Sequence, residues 1–306
     1  MEREKRIYSG GLLEVDFFPV FDCGRKIPSK PKGVGFSSEA QKKYNQLQAT
    51  KRLVRLVNTN FDNSDYFLHP TYEPRCAPLS EKQARRDIAN YLRRVKAKRE
   101  KELKTKKKQL KQLKATLEAA PGNPYLASEI EKLKAQIKKL SEPFKYVYVI
   151  ELQEYKRGTY AGCSNWHFHL FVTGGLASRE IESMWKVGQR INCNNFQPER
   201  FGAETAARYM MKDPQGKRRF VCSRNLDKPI TPPPKDGKIS RRTVERMATV
   251  YANDAEYWER KYKGYKFVRC FSRFNAYNEH WYVSVVMYKT NKAMPEWTMS
   301  DWVQPL

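Results

Sequence analysis

The sequence predicts an α+β fold with an antiparallel helical hairpin inserted in it. Runs rich in β-branched and aromatic residues, Lys145–Glu151 and Trp166–Thr173 foremost, read as strands. Other segments repeat apolar residues every three or four positions, as amphipathic helices do. The third observation is a pair of long helical patterns between about residues 96 and 143, parted by Ala120-Pro121-Gly122-Asn123-Pro124.

Taken in order, residues 1–43 form a basic, partly irregular segment in which Leu12–Phe18 is one strand candidate and Ser29-Lys30-Pro31-Lys32-Gly33 a basic loop. A helix is expected over Tyr44–Val57, followed by a turn at Asn60–Asp65 and a short strand, Tyr66–His69. Ser80 stands at an N-cap, with Gln83 placed to complete a capping box. The helix that follows carries Ile88, Tyr91, Leu92 and Val95 and runs on to Glu118 with Leu103, Leu110, Leu113 and Leu117 in a heptad-like rhythm. The second arm places Leu126, Ile130, Leu133, Ile137 and Leu140 on a matching seam, so each arm covers the other's apolar stripe. Beyond the two long strands, helices are expected at Ser178–Val187 and Ala203–Met211, with short strands near Ile191–Cys193 and Phe220–Ser223. Residues 44–230 thus read as one domain interrupted by the hairpin. A proline-rich linker, Pro229–Pro234, leads into an α/β extension over 231–306.

Charge narrows the partner. The chain of 306 residues carries 59 Lys plus Arg against 33 Asp plus Glu, a formal charge of +26, which points to a polyanion and foremost to nucleic acid. Part of the excess lies on the first hairpin arm: Arg93–Glu118 holds twelve basic and three acidic residues, the pattern of a DNA-facing arm or of a solvated face. No apolar run approaches the roughly 20 residues needed to span a bilayer, and the charged start leads into no secretory h-region. The six cysteines form no C-x-x-C pair, which argues against a zinc ribbon or disulfide framework and fits a reducing cytoplasm.

The chemistry concentrates at Asn165-Trp166-His167-Phe168-His169-Leu170-Phe171-Val172. Alternate residues of a strand share a face, so Trp166, Phe168, Leu170 and Val172 turn to a core while His167 and His169 project together on the other side. Two imidazoles so placed suit a divalent cation, although the pair in isolation more often marks two surface or hydrogen-bonded histidines. Glu151 ends the preceding strand. If the two strands pair, it becomes a third ligand, with Gln153 on the same face as the runner-up. Two imidazoles and one carboxylate leave open positions suited to Mg²⁺ or Mn²⁺. The metallo-β-lactamase pattern would need Asp and His where Phe171 and Val172 stand, and a cupin site would need a further histidine, for which only His280 is available downstream.

A nucleophile candidate follows on Ala203-Glu204-Thr205-Ala206-Ala207-Arg208-Tyr209-Met210-Met211-Lys212, where Tyr209 and Lys212 share one helix face. A phenol can attack a phosphodiester, but with a free pKa of about 10 it needs neighbouring positive charge, from a metal or from Lys212.

In this order, Glu151, His167-Phe168-His169 and Tyr209-x-x-Lys212 resemble the HUH (His-hydrophobic-His) endonucleases, and among them the single-tyrosine rolling-circle replication initiators of phages and plasmids. Asn60-Phe61, the Trp185-x-x-Gly188 turn and Ser223-Arg224-Asn225-Leu226 extend the likeness. The chain departs from that family in the longer link Tyr155–Asn165, which leaves Glu151, Gln153 and Glu154 as alternatives. It departs again at Leu68-His69-Pro70-Thr71-Tyr72, where the proline suits an edge or a bulge. The resemblance implies a ferredoxin- or RRM-like core with a mostly antiparallel sheet. It implies Mn²⁺- or Mg²⁺-dependent nicking and rejoining of single-stranded DNA or an origin hairpin through a 5′-phosphotyrosine on Tyr209, with Arg208 and Arg224 contacting phosphates. It also implies a bacterial host cytoplasm and, since no G-x-x-x-x-G-K-[ST] loop is present, a separate helicase. A transposase or relaxase of the same superfamily, or a non-catalytic nucleic-acid-binding protein, are the alternatives.

Overall fold

A computed structural model of the chain describes residues 1–21, 39–119, 122–154, 159, 162–188, 190–196, 202–211 and 219–290. Strands β1 (Glu2–Ser9) and β2 (Leu12–Pro19) precede helix α1 (Glu39–Asn60) and strand β3 (Tyr66–Thr71). Helices α2 (Glu81–Ala119) and α3 (Pro124–Ser141) lead to strands β4 (Tyr146–Glu154) and β5 (Ser164–Val172). Then come α4 (Ser178–Ser183), β6 (Arg190–Asn195), α5 (Gly202–Met210), β7 (Val221–Cys222) and β8 (Lys235–Asp236). The described chain closes with α6 (Arg241–Thr249), α7 (Ala255–Lys261), β9 (Tyr265–Asn275) and β10 (His280–Lys289). The fold is α+β with two antiparallel sheets. No described helix is long and apolar enough to cross a membrane. The basic loop at 29–33 lies outside the described residues.

The chain divides into two compact units. The first comprises Phe61–Gln197 and Thr205–Leu226 and holds a sheet in the order β6-β3-β5-β4-β7. One face of this sheet buries Leu68, Tyr148, Ile150, Phe168, Leu170 and Val172 against Ala84, Ile88, Tyr91, Leu92 and Val95 of α2. Burying each large apolar side chain contributes about 1.5–3 kcal/mol, and this packing fixes which face of each strand is left for the histidines. Helix α2 starts as expected, Ser80 Oγ accepting from Gln83 N–H at 3.3 Å. The other half of the capping box is absent, because the Gln83 amide donates to Asp87 instead, at 2.8 Å.

Past Val95, α2 continues into the antiparallel hairpin with α3, whose start is capped by the Asn123 side chain. Arg99 fastens its base. This buried guanidinium donates to the carbonyls of Thr173, Lys139, Leu140 and Glu142, joining the end of α3 to the end of β5.

The expectation that Pro70 marks an edge or a bulge is corrected: β3 lies between β5 and β6, and its register with β5 is the same on both sides of the proline. The proline acts locally instead. β3 pairs with β5 at Tyr66–Leu68 and again at Thr71, and the ladder lapses at His69 and Pro70 because proline has no N–H to give. The Trp185-x-x-Gly188 turn closes the same strand end, the Trp185 indole donating to the Thr71 carbonyl at 3.0 Å. A Cβ at Gly188 would stand 2.1 Å from that carbonyl oxygen, so glycine is required there.

The second unit comprises Met1–Asn60, Pro198–Glu204 and Asp227–Leu306, with the sheet order β8-β1-β2-β10-β9. Its core sets Leu13, Val15, Phe17, Val283, Val285 and Met287 against Val244 and Met247 of α6 and Trp258 of α7. The sequence offered Leu12–Phe18 as the one strand candidate of this segment; Glu2–Ser9 is a second, regular strand paired along its length with β2. Its charged residues hid it. Glu2 and Glu4 are buried, and they are held by His280 at 2.8 Å and by the Tyr262 hydroxyl at 3.0 Å, partners far away in sequence.

Replacing Arg99 with alanine strands buried carbonyls and is expected to cost about 3 kcal/mol in denaturant unfolding. Lysine, which lacks the planar fork, should recover little of that loss.

Candidate metal centre and nucleophile

Strand pairing makes the site. β4 and β5 form an uninterrupted antiparallel ladder in which Glu151 stands directly opposite His167. Phe168, Leu170 and Val172 are locked into the α2-facing core, so His167, His169 and Phe171 all emerge on the other face with Glu151. Glu151 Oε2 lies 3.1 Å from His167 Nε2 and 2.9 Å from His169 Nε2, and the two Nε2 atoms are 3.0 Å apart. These three residues form the one potential metal-ligating cluster among the described residues.

The mutual distances test whether a cation fits. Protons can satisfy at most two of the three approaches: with both Nε2–H groups donating to Glu151 Oε2, the two nitrogens still meet at 3.0 Å without a hydrogen bond. A cation satisfies all three. Ligands about 2.1 Å from a common centre stand about 3.0 Å apart at right angles and about 3.4 Å apart at tetrahedral angles. The observed spacing of 2.9–3.1 Å lets the three atoms reach one common cation. Iron(II) oxygenases use the same donor set, so the donors alone define a cation class and not a reaction.

A third histidine joins the cluster without having been singled out in the sequence. The register on either side of the lapse in the β3–β5 ladder sets His69 across from His169, and the two Nδ1 atoms meet at 3.0 Å. One must carry a proton and the other a lone pair. With His169 Nε2 given to the cation, its Nδ1 holds the proton and donates to His69, which fixes tautomer and ring orientation together. Below, Phe67 stacks on Phe171 with centroids 4.5 Å apart, and Phe61 and Phe196 flank Phe171, so the fully buried His169 stands on an aromatic floor. Three of the chain's four histidines therefore converge. The legible signal was their scarcity; the missing information was the β3–β5 register.

Burial shapes the titration of this group. Desolvation, reinforced by the neighbouring His169, pushes His167 down to about 4, and desolvation, with His169 and His167, does the same to His69. The Nδ1 of His167 is buried without a hydrogen-bond partner among the described residues.

Helix α5 brings the nucleophile candidate. Ala203, Ala206, Ala207 and Met210 bury one side of it and leave Arg208 and Tyr209 on the exposed side. The Tyr209 ring lies edge-on to His169 at 4.7 Å between centroids and to His69 at 6.0 Å, yet is 56% exposed, so a substrate can reach it. Lys212 lies outside the described residues. Gln153, two residues beyond Glu151 and opposite Asn165, is exposed, and Glu154 is exposed opposite Ser164 and outside the cluster. Arg224 is exposed next to Ser223, whose hydroxyl accepts from Tyr146 N–H at the far end of β4, about 16 Å of strand from Glu151. The structure thus brings together Glu151, His167, His169 and Tyr209, adds His69, and leaves Arg224 apart. Comparison with family models, curated proteins and solved structures returns no match for this chain.

His69→Ala is expected to weaken Mn²⁺ binding about tenfold by calorimetry while the fold is retained, the usual loss when a ligand histidine loses its orienting partner. The depressed histidines set the pH range. Because the folded protein keeps them neutral to about pH 4, Mn²⁺ binding should persist from pH 7 to about 5.5 and fall only as pH drops through about 4. Between the unfolded value near 6.5 and 4 the unfolded chain takes up more protons, so the metal-free fold should lose stability as pH falls through that window.

Proposed function

We propose that the protein is a metal-dependent single-strand DNA endonuclease and ligase, with Tyr209 as nucleophile, that initiates rolling-circle replication. The observation that carries the reading is the placement of an accessible tyrosine ring 4.7 Å from His169, itself one of three clustered metal-ligand side chains. The formal charge of +26 and the order of the motifs support it. A ferredoxin- or RRM-like HUH core, drawn from the sheet of the first unit, belongs to the same reading.

Within it, Tyr209 Oη attacks the phosphorus of the scissile phosphodiester, and the P–O3′ bond breaks as the Oη–P bond forms. The phenol loses its proton, the leaving oxygen gains one, and a free 3′-OH is released to prime synthesis. The 5′ phosphate stays on Tyr209 until a 3′-OH attacks it and restores the strand. A Mg²⁺ or Mn²⁺ ion held by His167, His169 and Glu151 would supply the positive charge that polarises the phosphate. Arg208, exposed beside Tyr209, is suited to holding a flanking phosphate, and Lys212 is the second candidate for favouring the phenolate. Single-stranded or extruded origin DNA is the substrate class, with a separate helicase as the expected partner in a bacterial cytoplasm. A transposase or relaxase of the same chemistry would share every one of these residue roles.

Single-stranded DNA from the replicon that encodes the protein, labelled and incubated with it and Mn²⁺, should yield a protein–DNA adduct that survives denaturation. Tyr209→Phe should abolish the adduct without weakening DNA binding. Tight binding with no cleavage under any divalent cation would instead mark a non-catalytic DNA-binding protein.

A further inference from the structure

The two arms of the helical hairpin carry charge in different ways. On α3, lysines are interleaved with acids in the manner of a solvated face, Lys132 pairing with Glu129 at 3.0 Å and Lys134 with Glu131 at 2.6 Å. On α2, no acidic residue stands between Glu102 and Glu118, while that stretch holds Lys104, Lys106, Lys107, Lys108, Lys111 and Lys114. Lys106 pairs back to Glu102 at 3.6 Å. Lys101, Lys104, Lys107, Lys108, Lys111 and Lys114 are exposed, and none forms an ion pair among the described residues.

Their spacing gathers these six on one side. At 100° per residue they fall within about 140° of the helix circumference, beside the stripe of Leu103, Leu110, Leu113 and Leu117 that faces the other arm. Lysines three and four apart repel one another, and from Lys101 to Lys114 this face holds no acid over about 20 Å of helix, Glu100 and Glu118 bounding it at its two ends. A solvated face would not need a single sign. A polyanion removes the repulsion, and the face offers a row of charges to a duplex bearing one phosphate charge per about 1.7 Å of axis. Single strands are held largely by aromatic platforms, and α2 has no aromatic residue beyond Tyr91.

We propose that this lysine face of α2 is a binding site for the phosphate backbone of duplex DNA, sequence-independent and separate from the Glu151–His167–His169 cluster. The inference rests on charge and helix geometry and does not depend on Tyr209 chemistry.

The test uses the full chain and a 30-base-pair duplex of arbitrary sequence, followed by fluorescence anisotropy between 50 and 200 mM salt. With all six lysines changed to glutamine, which keeps helix propensity, affinity at 100 mM salt should fall at least tenfold. The salt slope should shrink by about 0.9 for each phosphate no longer neutralised, up to about 5. Lys132→Gln with Lys134→Gln on α3 should change neither quantity. Circular dichroism reports whether the sixfold variant keeps its helix, and adduct formation on a short single-stranded oligonucleotide should be unaltered in it. Unchanged duplex affinity and slope in a folded sixfold variant would overturn the proposal, as would an equal loss in the α3 control. Failure of wild-type protein to form any adduct bears on the proposed nicking activity alone and leaves the duplex measurement decisive.

Discussion

The register between β4 and β5 is the constraint on which the first unit depends. Side chains alternate strictly along a strand, so a slip of one residue would send Phe168, Leu170 and Val172 to the open face and bury the histidines against α2. Burial of those three contributes about 5–9 kcal/mol, far more than the local crowding of two imidazoles and a carboxylate can oppose. The apolar face thus fixes the polar one. The core on the reverse side puts Glu151 on the same face as His167 and His169, and the observed register sets it opposite His167.

Given that register, the remaining features of the cluster follow from relaxed demands elsewhere. Pro70 interrupts hydrogen bonding between β3 and β5 where His69 and His169 stand across from each other, so a strand flanked on both sides still delivers a side chain against its neighbour's histidine. The Phe67–Phe171 stack keeps water from beneath His169, and the same burial holds His167 and His69 neutral well below their ordinary range. A neutral imidazole with a fixed proton is a ready ligand. The three side chains stand close enough to share a cation, and His167 Nδ1 is left buried without a partner among the described residues.

The hairpin carries a different logic. Its α3 arm pairs Lys132 and Lys134 with glutamates of the same helix, whereas α2 runs from Lys101 to Lys114 with no acid on its lysine face, anchored at its base by the buried Arg99.

Local periodicity, charge and residue type were enough to read the α+β class, the hairpin, the facing of His167 and His169, and the candidacy of Glu151 and Tyr209. Each is a property of near neighbours along the chain, repeated every two or every 3.6 residues. What only the tertiary structure decided depends on partners brought together by packing. His69 joins the cluster from a strand about a hundred residues upstream, by a register that no local pattern encodes. The charged segment Glu2–Ser9 is a strand whose buried Glu2 and Glu4 each meet a distant partner, His280 and the Tyr262 hydroxyl. Arg224, near the cluster in motif order, is held at the other end of β4 by the pairing of Ser223 with Tyr146. In all three cases the deciding interaction spans a sequence distance over which periodicity carries no information, and long-range packing alone fixes it.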